Sequence, residues 1–170
     1  GGNELHHLYV LTTDGKMIDL TPGDKLKAEF LGWSQDDSLW LKTNERDAKY
    51  FDVYRYDSSS YQRRLMFSNP GGFEPVAISA DGRYLALKKN RTNADNDLYL
   101  VDLQRVDLPR IDLPQSQPTP LHLTPHEGNI SYQIHGFSRD SKQLIYGSDQ
   151  HSEFSQAFAY DLATAASTLY

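Results

Sequence analysis

The chain has 170 residues, enough for one substantial core. Net charge is −6 and the Lys and Arg residues are scattered, so a nucleic-acid partner is not expected. Cysteine is absent, which removes disulfides, thiolate metal sites and cysteine nucleophiles together. No run of about 18 apolar residues exists, so no membrane-spanning helix is expected.

Tyrosine is abundant, with 11 copies, and favours strands. Gly1-Gly2 reads as an appended scar, and the chain then enters a strand almost at once. It is therefore expected to be an excised piece of a longer protein, whose compartment the sequence leaves open.

In chain order, Leu8 to Leu11 and Lys16 to Leu20 are strand-like and flank Asp14-Gly15, a strong hairpin signal. Next comes a unit that is repeated. Leu31-Gly32-Trp33-Ser34-Gln35-Asp36 leads through a turn into an apolar run from Leu39. Val76-Ala77-Ile78-Ser79-Ala80-Asp81 does the same, as does His135-Gly136-Phe137-Ser138-Arg139-Asp140. The Ser-x-Asp aspartates Asp36, Asp81 and Asp140 lie 45 and 59 residues apart. A Tyr-containing strand follows each unit and also opens the chain: Tyr9, Tyr54 and Tyr99 at intervals of 45, then Phe158. A further short strand closes each copy, at Arg63 to Phe67, Pro120 to Leu123 and Ser167 to Tyr170.

The longer last period has a visible cause. Arg105 to Pro118 inserts about 14 residues between the third and fourth strands of its unit, and its prolines break any ladder. No segment carries a helical period. A repeat of about 40–50 residues made of short strands predicts propeller blades. The expected fold is all-β: a partial β-propeller of four-stranded antiparallel blades. It comprises an N-terminal half-blade at 3–22 and blades at 26–69, 73–124 and 131–170.

Copied residues read first as architecture. Each Ser-x-Asp carboxylate begins a turn and can accept backbone N–H bonds there. Successive copies are expected on one rim but well apart, without forming a common pocket. Trp33, Ile78 and Phe137 share one repeat position and are expected to be buried between blades.

The units resemble the repeat of the TolB and prolyl oligopeptidase propellers, Ser-Pro-Asp-Gly followed by Ile-Tyr-Val-x-Asp-Leu and Leu-Thr. Ser79-Ala80-Asp81-Gly82, Leu98-Tyr99-Leu100-Val101-Asp102-Leu103 and Leu123-Thr124-Pro125 carry the likeness. The usual proline is replaced by Gln35, Ala80 and Arg139. Asn44-Glu45-Arg46-Asp47, Leu123-Thr124-Pro125-His126-Glu127-Gly128 and Tyr146-Gly147-Ser148-Asp149 resemble the bacterial prolyl oligopeptidase family of serine peptidases. That resemblance implies a propeller that docks on an α/β-hydrolase domain of the same parent chain and gates peptide substrate. The alternative it leaves is a TolB-like protein-binding propeller with no enzyme attached.

Chemistry is sparse. A peptidase of this type needs Gly-x-Ser-x-Gly on a strand-to-helix turn. Gly32-Trp33-Ser34-Gln35-Asp36 comes nearest, but lacks the second glycine and sits in a repeated strand. The catalytic domain is expected to lie outside this chain, and no catalytic, cofactor-binding or metal residue is assigned.

Among the six histidines, His6 and His7 face opposite sides of a strand, and His122 and His126 flank a turn without an obvious third ligand. His126-Glu127-Gly128 reads as a solvated turn, and Asp95-Asn96-Asp97 as Asx residues ahead of a strand rather than a calcium loop. Asn90-Arg91-Thr92 and Asn129-Ile130-Ser131 match the glycosylation acceptor pattern and are expected to be idle. Open propeller ends would leave apolar faces bare, so self-association of the fragment is expected.

Overall fold

The computed structural model describes residues 5–104 and 118–170. Fourteen strands are described, and no helix is present among these residues. The half-blade is a hairpin of β1 (Tyr9–Leu11) and β2 (Met17–Asp19). Blade 1 contains β3 (Ala28–Trp33), β4 (Leu39–Asp47), β5 (Tyr50–Tyr56) and β6 (Arg63–Phe67). Blade 2 contains β7 (Glu74–Ile78), β8 (Tyr84–Thr92), β9 (Asp95–Asp102) and β10 (Leu121–His122). Blade 3 contains β11 (Tyr132–Phe137), β12 (Gln143–Ser148), β13 (Gln156–Asp161) and β14 (Ala166–Leu169). Each blade is an antiparallel meander in chain order, the partial propeller that the repeat predicts. The insertion expected at Arg105–Pro118 lies, apart from its last residue, outside the described residues, as do the first two residues of the expected half-blade.

Three apolar cores lie between successive sheets, and the central strands of blades 1 and 2 are covered on both faces. Leu39, Leu41, Tyr54 and Tyr56 of blade 1 pack on Leu8, Val10 and Leu20 of the half-blade. Trp40, Val53 and Phe67 on the other face of blade 1 meet Leu85, Leu87 and Val101 of blade 2. Leu98 and Leu100 of blade 2 meet Ile134, Leu144 and Tyr146 of blade 3. A fully buried side chain of this size contributes roughly 1.5–3 kcal/mol, so these cores hold the arc together.

A repeated irregularity shapes each first strand. The register with the second strand jumps between Phe30 and Gly32, between Pro75 and Ala77, and between Ile134 and Gly136. Leu31, Val76 and His135 are thus bulged residues at one repeat position. A bulge shifts the facing of everything beyond it. Phe30 and Trp33, three residues apart, therefore point to the same side, opposite Leu41 and Leu39.

This geometry corrects one expectation. Ile78 and Phe137 pack into the second and third cores, but Trp33 is 56% exposed. Its face looks toward the half-blade, which among the described residues has no strands at the level of β3 and β4.

The Ser-x-Asp turns are built alike. Ser34, Ser79 and Ser138 donate their hydroxyls to Asp36, Asp81 and Asp140 at 2.5, 2.5 and 2.7 Å. The carboxylates accept the backbone N–H of Ser38, Arg83 and Lys142 at 3.1–3.2 Å. The following residue is left-handed in every copy: Asp37 at φ 60°, Gly82 at 69° and Ser141 at 58°. Neighbouring turns touch rather than standing well apart. Gln35 N donates to the Ala80 carbonyl at 2.6 Å, and Asp81 N to Ser141 Oγ at 3.0 Å.

Candidate functional site

Strand alternation puts the Ser-x-Asp turns on one rim and the β4–β5 and β8–β9 hairpin ends on the other. The second rim carries a cluster of ionisable side chains. Its parts recur 45 residues apart. In blade 1, Arg46 Nε and Nη2 donate to the two oxygens of Asp52 at 2.6 and 2.7 Å. In blade 2, Arg91 Nε and Nη2 donate to those of Asp97 at 2.5 and 3.0 Å. Both are paired two-point contacts across a hairpin, the geometry that suits guanidinium and carboxylate. Both carboxylates are buried, so the arginine supplies the compensation that a buried charge needs.

The two copies then diverge. Asp52 also accepts the backbone N–H of Asn69 at 2.7 Å. The Asn69 amide reaches the carbonyls of Phe51 and Phe73 at 3.2 and 2.6 Å, tying blade 1 to the start of blade 2. In blade 2 histidines take over. His122 Nε2 lies 2.8 Å from Asp97 Oδ1, and its ring stacks on Tyr99 with centroids 4.6 Å apart.

His126 is almost wholly enclosed, with a side chain 1% exposed. The expectation of a solvated turn is therefore wrong at this residue. Its Nδ1 lies 2.8 Å from the Thr124 carbonyl and its Nε2 lies 2.8 Å from Asp95 Oδ1. A carbonyl and a carboxylate can only accept, so both contacts are satisfied together when both ring nitrogens carry protons. Burial depresses the His126 pKa, but the bonds to Thr124 and Asp95 outweigh it and the net shift is upward. The bond from His126 also holds the Asp95 carboxyl below its ordinary range, against desolvation. Tyr132 lies beside the imidazole, with centroids 5.4 Å apart, and burial pushes its phenol up to about 12.

Asp95, Asn96 and Asp97 lie inside β9 rather than ahead of it. Their neighbours explain the difference. Asp95 faces His126, while Asn96 accepts the backbone N–H of Tyr132 at 3.1 Å from the next blade. Among the described residues, no group of three or more potential ligands is placed to hold a metal ion. Within the cluster the arginines and histidines are paired with the carboxylates, and the two histidines meet Asp95, Asp97 and the Thr124 carbonyl. Its geometry suits a latch between blades 2 and 3. The missed signal was the spacing: Arg46 to Asp52 and Arg91 to Asp97 repeat with the blade period.

No family profile matches the chain. By sequence, 99% of it aligns at 26% identity with a dipeptidyl aminopeptidase BIII from Pseudoxanthomonas mexicana, of which it spans 23%. By structure, it superposes on TolB from Acinetobacter baumannii with a TM-score of 0.63 at 19% identity, covering 96% of this chain and 37% of that one. A solved structure from a study of two prolyl endopeptidases gives a TM-score of 0.63 at 15% identity, covering 93% of this chain and 21% of that one. The fold is thus shared with a TolB protein and with a peptidase, and the chain spans a minor part of each of these relatives.

Proposed function

We propose that the chain is a non-catalytic arc of propeller from a prolyl oligopeptidase-type serine peptidase. In the parent it borders an α/β-hydrolase domain and narrows the route of a peptide to the catalytic serine. The observation that carries this reading is the sequence match. It runs along nearly the whole chain yet occupies only a minor part of a dipeptidyl aminopeptidase. The sequence itself carries no Gly-x-Ser-x-Gly element, so chemistry would come from another part of that protein. Fold likeness alone does not assign function, which is why the weight rests on the sequence match.

The likeness to TolB favours a second reading, a binding propeller with no enzyme attached. The coding sequence beyond Tyr170 separates the two. A Gly-x-Ser-x-Gly element followed by an Asp and a His decides for the peptidase. An open reading frame that closes its propeller and stops decides for the binding module.

A further inference from the structure

The bare aromatic pair on blade 1 has covered counterparts in both other blades. Trp33 is paired with Leu39, Ile78 with Leu85 and Phe137 with Leu144, so the three hold one position. Ile78 lies in a core with Leu31 and Trp40 of the preceding blade. Phe137 lies in a core with Val76, Ala77 and Ala86 of the preceding blade. Pro75 and Ile134, the counterparts of Phe30, are buried. Phe30 is 47% exposed, and its ring meets Trp33 edge to face at 5.9 Å. The pair continues the half-blade core inward, because Leu39 and Leu41 on the same face belong to that core.

The backbone points to the same place. β5, β9 and β13 are each paired on both edges, whereas β1 pairs only with β2 among the described residues. The free edge of β1 is where a second strand of its own blade would bind.

We infer that Phe30, Trp33 and the free edge of β1 form a seat for a two-stranded β-hairpin. Its second strand adds antiparallel to β1, and its first strand carries a bulged apolar residue against Trp33. Main-chain bonds to the edge set its register, and the aromatic pair selects its apolar side chains. Its turn lies beside that of blade 1, as the Gln35 to Ala80 contact joins the turns of blades 1 and 2. The inference rests on blade geometry and holds under either functional reading. Left open, such an edge with an apolar patch invites unspecific pairing.

The test uses the chain labelled with 5-fluorotryptophan, whose two fluorine resonances are assigned with Trp33→Phe. The probe is an unlabelled synthetic peptide of residues 28–47, the β3–β4 hairpin. It is added to about 1 mM, and in a second protein the same unlabelled peptide is ligated to the amino terminus of the labelled chain through a Gly/Ser linker that raises its effective concentration. The Trp33 resonance should shift saturably in both formats while that of Trp40 stays in place. Amide exchange along β1 should slow. A Phe30→Ala, Trp33→Ala double variant that keeps the Trp40 resonance should bind a fluorescein-labelled copy of the peptide at least about tenfold more weakly.

An unmoved Trp33 resonance in both formats overturns the inference, as does equal binding by the double variant. Burial of Trp33 that depends on protein concentration without peptide also overturns it, because a second copy of the chain would then be the occupant.

Discussion

His126, on the connection between blades 2 and 3, holds its Nε2 2.8 Å from Asp95 Oδ1 at the start of β9. The raised His126 pKa makes this contact pH-dependent. Its contribution is complete below the ordinary histidine value of 6.5 and is lost as pH rises through the higher folded-state value. The lowered Asp95 pKa has the opposite sign. Its contribution is present above 3.8 and is lost as pH falls through the lower folded-state value. His126→Asn should lower the melting temperature by a few degrees at pH 5–6 and by less at pH 9, read by thermal unfolding across a pH series.

Phe137→Ala and Trp33→Ala should differ sharply despite their common repeat position. Phe137 packs into the core between blades 2 and 3, and its truncation should cost about 2 kcal/mol or more. Trp33 is more than half exposed, and its truncation should cost less than about 1 kcal/mol. Urea denaturation of the two variants checks the order.

The turn residues predict changes of opposite sign. Asp37 is exposed and left-handed at φ 60°, so Asp37→Gly should stabilise by about 0.5 kcal/mol. Gly82 is left-handed at φ 69°, and a Cβ there would sit 3.1 Å from Trp40 Cζ2. Gly82→Ala should therefore destabilise by about 1–2 kcal/mol. Chemical denaturation of both variants would show the contrast.

Acrylamide quenching should separate the two tryptophans. With Trp40→Phe, the remaining Trp33 should emit at long wavelength and quench readily. With Trp33→Phe, Trp40 should emit at short wavelength and resist quenching, because it is wholly buried and donates Nε1 to Ser34 Oγ at 2.9 Å.

The fold was legible in the spacing of Asp36, Asp81 and Asp140 and of Tyr9, Tyr54 and Tyr99, because a blade repeats its turn chemistry at fixed intervals. What each copied residue faces was not legible. Leu31, Val76 and His135 bulge out of register, and no residue type at those places announces it. Trp33 then fails the expectation because its burial depends on strands of a neighbouring sheet rather than on its own blade. His126 was misread for a related reason. The polar wording of the turn says nothing of Asp95, which is distant in sequence and becomes a neighbour only when β9 and the β10–β11 connection come together.

The central claim, a propeller arc without its own hydrolytic machinery, is tested most directly with a fluorophosphonate probe on the purified 170-residue chain. The account predicts no serine labelling above that of the heat-denatured protein. Labelling near one equivalent per chain, abolished by a single Ser→Ala substitution, would contradict it.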